Sequence, residues 1–122
     1  MIFFEIHLYR SPAGTSPVEE FLGRLPTRDR AKIMAAIDYL SREGPGLRRP
    51  QAAHVRGKIW ELRVSLARNE YRVLYFFTVG QKVVLLHAFQ KKTAAIPARE
   101  IETAEARQRQ YEERMKKGKV IP

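Results

Sequence analysis

The chain has 122 residues, 44% of them hydrophobic and 30% charged: long enough for one domain with one core, and too polar for a membrane span. It has no cysteine, and its three histidines (His7, His54 and His87) show no metal-ligand spacing, so disulfide frameworks and thiolate or paired-histidine metal sites are excluded. Twenty-three Lys and Arg against 13 Asp and Glu leave a net charge of +10, which favours a polyanion or an acidic protein as partner.

Ile2–Tyr9 alternates, with Ile2, Phe4, Ile6 and Leu8 on one side and Phe3, Glu5, His7 and Tyr9 on the other, and predicts a strand with His7 at the surface. It is too short and polar for a signal peptide, so a cytoplasmic location is expected. After a Pro/Gly loop, Ser16-Pro17-Val18-Glu19 predicts a helix start. Ser16 can accept from the third amide, Glu19 can reach back, and Pro17 takes the first helical position. This short helix turns Phe21, Leu22 and Leu25 inward and stops at Pro26. Thr27 is read as the next cap, with Asp29 near the positive end of the helix dipole. Ile33, Ile37 and Leu40, with Met34 and Ala36 beside them, form a core stripe that ends at Gly44-Pro45.

Pro45–Gly57 reads as a linker of turn residues carrying Arg48, Arg49 and Arg56. Adjacent arginines in such a loop suit phosphate contact, and a solvated loop suits them equally. His54, just before the next strand, is assigned no role. Lys58–Thr93 then holds three runs, Ile59–Leu66, Tyr71–Phe77 and Lys82–Phe89, joined by a few turn-like residues, and predicts a three-strand antiparallel meander. Strict alternation puts Trp60, Leu62, Val64 and Leu66 on one face, Arg72 with Leu74 and Phe76, and His87 and Lys91 with Val83, Leu85 and Phe89. Each strand therefore carries a polar or basic residue on an otherwise apolar surface. From His54 to Lys92 there are eight Lys/Arg against two Glu, a net +6 in about a third of the chain. Lys and Arg that merely solvate an exposed sheet would account for most of these residues one at a time; Arg72, set between large apolar neighbours, fits that explanation least.

Pro97 opens a final helix with Ala98, Ile101, Ala104, Gln108, Tyr111 and Met115 on one stripe, and Lys116–Pro122 is expected to fray. The expectation is an α+β fold in a single domain over 1–122: an N-terminal strand, two helices, a three-strand antiparallel meander and a C-terminal helix.

Basic residues on a sheet beside a histidine suit one chemistry in particular. RNA carries its own nucleophile, the 2′-hydroxyl, so cleavage needs only a base, an acid for the leaving 5′ oxygen, and cations for the charge that builds on phosphorus. Arg63, Arg72, Lys91 and Lys92 are the cation candidates. His87 is a proton-transfer candidate because histidine's unperturbed pKa, about 6.5, lies near working pH. A lysine crowded by cations is another, and a lone strand histidine is also commonly structural. No cofactor is expected.

Ile59-Trp60-Glu61-Leu62-Arg63, Tyr71-Arg72-Val73-Leu74-Tyr75 and Leu85-Leu86-His87-Ala88-Phe89-Gln90-Lys91-Lys92-Thr93 resemble the phage-derived HigB-like branch of the RelE/ParE toxin superfamily. Ser16–Leu22 and Pro97–Ile101 match the same branch, so the resemblance covers nearly the whole chain. It implies a RelE-like fold and a type II toxin that cleaves mRNA, usually on the ribosome, and is neutralised by a helix-turn-helix antitoxin. Carried over, Arg72 is the phosphate-binding, transition-state arginine, Arg63 the arginine closing the preceding strand, and Lys91 and Lys92 the basic strand end. Arg63, Arg72, His87 and Lys91 are thus the catalytic candidates, and Arg48, Arg49, Arg56, Lys58 and Lys92 the RNA-binding ones, with no metal ligand. RelE places lysines in the strand where this chain has Trp60 and Glu61, so its lysine-based proton transfer does not carry over, leaving His87 or Lys91. Relatives of the ParE type share the fold but inhibit DNA gyrase by binding, and a remnant that only binds antitoxin is a third possibility.

Overall fold

In a computed structural model that describes residues 3–120, the chain runs β1 (Glu5–Leu8), α1 (Pro17–Gly23), α2 (Thr27–Glu43), a 3-10 turn (Gly44–Gly46), β2 (Ala52–Arg56), β3 (Ile59–Leu66), β4 (Asn69–Thr78), β5 (Lys82–Gln90) and α3 (Ala98–Val120). One sheet orders the strands β1-β5-β4-β3-β2; β1 is parallel to β5 and every other pair is antiparallel. The expected α+β fold is present. The N-terminal strand is shorter than the alternation suggested, and Ile2, its first expected residue, lies outside the described residues.

The first helix starts as its sequence dictates: Ser16 Oγ accepts from the Glu19 amide at 3.1 Å and Pro17 occupies the first turn. Glu19 itself turns to Arg10, at 3.6 Å, rather than back to the cap. Thr27 is not a cap. It is the first residue of α2, Pro26 precedes it, and no side chain caps that end. Asp29 is drawn inward instead, accepting from the Tyr71 hydroxyl at 2.5 Å and from Asn69 Nδ2 at 3.2 Å. The Tyr71 hydrogen bond, ahead of the opposing effect of burial, holds the Asp29 carboxyl below its ordinary pKa. Helix α2 ends at Gly44, whose φ of 54° suits glycine and whose missing Cβ would lie 2.4 Å from the Phe4 ring.

Both sheet faces are covered. Val18 and Leu22 of α1 and Ile33, Ile37 and Leu40 of α2 pack on Leu62, Val64, Tyr71, Val73, Tyr75, Val83 and Leu85. Met34, expected beside that stripe, is half exposed, one position off it. On the opposite face Ala104 and Tyr111 of α3 cover Ile59, Leu74, Phe76, Val84 and Leu86. Helix α3 runs to Val120, through most of the stretch expected to fray, and Ile121–Pro122 lie outside the described residues. No helix among the described residues is long and apolar enough to cross a membrane.

Two further features depart from the sequence reading. The supposed linker holds β2, which pairs with β3 from Ala52↔Leu62 to Arg56↔Ile59 across a Gly57-Lys58 turn with Gly57 at φ 55°. In addition, β5 bulges between Leu85 and His87: Tyr75 pairs with Leu85, but Leu74 pairs with His87. The extra residue puts Leu86 and His87 in succession on the α3 side, so His87 does not share the face of Val83 and Leu85.

Candidate RNA-cleaving site

Helix α3 covers only part of its face of the sheet. Past its first turns the face re-emerges as a cleft of ≈ 340 Å³, with Glu61, Arg63 and Arg72 among its lining residues. His54 and Val55 of β2 stand on one side, and Lys91 with Ala94–Ile96 on the other. Cross-strand register explains the convergence, since Arg63 pairs with Arg72, and Arg72 with Phe89. Lys91 extends β5 beyond Gln90, its amide donating to the Glu70 carbonyl at 2.7 Å.

Arg72 is 7% exposed, and its charge is compensated. Nε donates to Glu61 Oε1 at 2.9 Å, and Nη1 to the Tyr71 carbonyl at 2.9 Å and Glu70 Oε1 at 3.2 Å. Nη2 makes no hydrogen bond among the described residues and is the edge left for a ligand. Glu70 also accepts from Ser65 Oγ at 2.6 Å; that bond first, and the Arg72 and Lys91 charges after it, hold its carboxyl below the ordinary pKa. Arg63 is different. Its Nε lies 3.4 Å from Glu61 Oε1, yet it is a buried donor with no hydrogen-bond partner among the described residues. Lys91 Nζ donates to the carbonyls of Thr93 and Ala94 at 2.7 and 3.0 Å, which occupies two of its three donors without neutralising its charge. Three cations and one carboxylate, Glu61, therefore line the cleft, which leaves it with an excess of positive charge.

The other candidates are placed elsewhere. His87 does not line the cleft; it is enclosed under α3, with Nε2 2.8 Å from Glu100 Oε1, Nδ1 3.1 Å from Arg107 Nη1, and its ring stacked on Phe89. An Arg107 donor at Nδ1 fixes the tautomer that donates from Nε2 to Glu100. Burial, helped by the Arg107 charge and opposed by Glu100, pulls the His87 pKa below its usual value. Arg56 forms a two-pronged pair with Glu105 at 3.1 and 2.7 Å, and Lys58 reaches Glu112 at 2.8 Å, so both tie β2–β3 to α3. Arg48 lies 5.4 Å from the centre of the Trp60 ring, and Arg49 and Lys92 are exposed. Among the described residues no three His, Asp or Glu side chains gather as a metal site.

The family described as "Phage derived protein Gp49-like (DUF891)" matches residues 20–109. The chain belongs to that family. The HigB-like resemblance of its motifs is upheld by two curated relatives from Mycobacterium tuberculosis, strains CDC 1551 / Oshkosh and ATCC 25618 / H37Rv, each named "Probable endoribonuclease HigB1". Each is 38% identical over 105 residues, spanning 83% of this chain and 79% of the relative. The Gp49-like match encloses every residue that lines the cleft, from His54 to Ile101.

One cleft residue of this Gp49-like chain went unread in the sequence. His54 Nε2 donates to the Gly57 carbonyl at 2.7 Å, and the ring packs edge-on against Trp60. The available signal was its place before the Gly57 turn: a strand there pairs His54 with Trp60 and sets the residue at the cleft's edge, with its ring on the Trp60 face, opposite to Arg63 and Arg72.

Proposed function

We propose that this chain is the toxin of a toxin–antitoxin pair, an endoribonuclease that cuts mRNA on the ribosome by attack of the RNA's own 2′-hydroxyl. Kinship with the HigB1 proteins supports endoribonuclease activity at the level of the family. The observation that carries the finer reading is the convergence of Arg63, Arg72 and Lys91 on one cleft.

The reaction follows from those groups. Water takes the 2′-hydroxyl proton as the 2′ oxygen bonds to phosphorus, and the phosphorane's extra charge is held by Arg72 Nη2 and the Arg63 guanidinium. The bond from phosphorus to the 5′ oxygen then breaks, and the Lys91 ammonium supplies a proton to that oxygen. The products are a 2′,3′-cyclic phosphate and a 5′-hydroxyl. The nucleophile belongs to the substrate, so the sequence is written without a metal. His87, locked to Glu100 and Arg107, positions α3 against the sheet. The partner is a helix-turn-helix antitoxin whose acidic segment meets the basic face, and the pair acts in the cytoplasm.

Inducing the chain in bacteria without its partner, and mapping new mRNA ends, tests this reading. New 5′-hydroxyl ends matched by cyclic or 3′-phosphate ends, lost about a hundredfold or more in Arg72→Ala, are the expected result. Fragments with 3′-hydroxyl and 5′-phosphate ends, gyrase-linked DNA breaks without RNA cuts, or full activity of Arg72→Ala would overturn it.

A further inference from the structure

A second concavity, ≈ 590 Å³, opens beside the cleft and shares Arg63 and Arg72 with it. It exists because β2 is short. Its last pair is Ala52↔Leu62, the Arg63 amide still reaches the Gln51 carbonyl at 2.8 Å, and the chain then departs through Pro50. Beyond that point the outer edge of β3 has no neighbouring strand, and backbone alternation points the N–H and C=O of Ser65 the same way as the Arg63 amide. Helix α2 forms the facing wall, with Lys32, Ala35, Ala36 and Tyr39 at helical spacing. The two alanines keep the groove wide, Lys32 is exposed, and Tyr39 is 40% exposed despite its size. Arg42 lies 5.9 Å from the centre of the Tyr39 ring without lining the groove, so the groove side of the ring is left uncovered.

We propose that this groove is a second RNA subsite, in which the base of a nucleotide adjoining the one at Arg72 stacks on Tyr39 while its phosphate lies between Lys32 and Arg63. The proposal rests on the RNA reading above and extends it from one phosphate to a path along a single strand. An exposed aromatic ring between cations is the sequence-tolerant platform that single-stranded nucleic acid uses, because every base has a π-face and every linkage a charge. The exposed Tyr39 ring among those cations, rather than charge alone, favours RNA over an acidic protein strand laid on the β3 edge. Its cations continue without a break into the cleft, and its one carboxylate, Glu70, is already occupied by Ser65 and Arg72. The Arg63 side chain, about a third exposed, stands at the junction of groove and cleft.

The test uses the full chain and uncleavable, fully 2′-O-methylated RNA, a dinucleotide and a hexanucleotide, with binding read by fluorescence anisotropy. The hexanucleotide should bind more tightly. Tyr39→Ala should weaken it by about tenfold, Tyr39→Phe should restore it, and Lys32→Ala should reduce the salt dependence by about one counterion. Circular dichroism of each variant should match the wild type. Hexanucleotide binding that is absent, or unchanged in Tyr39→Ala, overturns the subsite. So does a Tyr39→Ala protein that keeps RNA but loses its antitoxin, which would make the groove a protein dock. Cleavage plays no part in this readout, so the two readings fail separately. Tyr39-dependent binding without any mRNA cutting would refute the nuclease alone. Arg72-dependent cutting with Tyr39→Ala binding as wild type would refute the groove alone.

Discussion

Replacing Glu61 by glutamine removes the charge that holds two guanidinium groups in place while keeping the shape of the side chain. Glu61 is 7% exposed, and its Oε1 receives Arg72 Nε at 2.9 Å and lies 3.4 Å from Arg63 Nε. Breaking a buried pair from one side costs ~3–5 kcal/mol when the remaining charge is left uncompensated. Arg72 keeps the Tyr71 carbonyl at 2.9 Å and Glu70 at 3.2 Å, and Arg63 is free to turn outward, so the low end, about 3 kcal/mol, is expected. At roughly 2.1 cal/mol/K per residue, a 122-residue chain unfolds with an entropy of about 0.26 kcal/mol/K, and that loss lowers Tm by about 12 °C. Thermal and urea unfolding at neutral pH read it directly. RNA affinity should move the other way, because three cations then face the phosphate without a carboxylate between them, while turnover falls as Arg72 loses its orientation. A Tm within about 2 °C of wild type, or undiminished turnover, would refute the assignment of Glu61 as the anchor of the cleft.

Leu62, 1% exposed beneath α2, should cost ~2–5 kcal/mol on truncation to alanine, measured by urea unfolding. Ala67 turns the β3–β4 hairpin at φ 56°, a conformation that costs an L-residue about 1–2 kcal/mol; Ala67→Gly should therefore stabilise by about 0.5–1 kcal/mol, and a lower Tm would contradict the turn geometry. His87 has a depressed pKa in the fold, so below about 6.5 the unfolded chain takes up a proton that the folded chain refuses. Its contribution is complete above that pH and is lost as pH falls through the lowered value, so urea midpoints should drop more steeply between neutral and acidic pH for the wild type than for His87→Gln.

Where a strand is long and half-buried, as at Ile59–Leu66, alternation alone located it, and Ser16-Pro17 and Gly44-Pro45 marked helix ends by chemistry that tertiary packing did not overrule. Strand β2 was illegible for a physical reason. Of Ala52–Arg56 only Val55 is β-branched, and Pro50 and Gly57 crowd the strand from both ends, so its existence rests on hydrogen bonds to β3 rather than on its own preference. His54 was missed along with it. The side taken by His87 was misread because Val83-Val84-Leu85-Leu86 is apolar throughout: with both faces buried, nothing in the pattern marks where the bulge adds a residue. Arg72 stood out because a guanidinium among Leu74 and Phe76 has to be compensated, though the identity of its partners, Glu61 and Glu70, needed the register of β3 on β4.

The parallel pairing of β1 with β5 governs the order in which the molecule is made. Glu5 has Lys82 as its partner, so β1 must wait until β5 has been synthesised before its neighbour appears. The hairpins of the meander are local and can close as they emerge, yet Lys91 takes its place only after β5 has joined β4. A nascent chain thus exposes its arginines long before it owns the sheet that aims them. A fragment that stops before β5 would therefore hold Arg63 and Arg72 without the Lys91 side of the cleft.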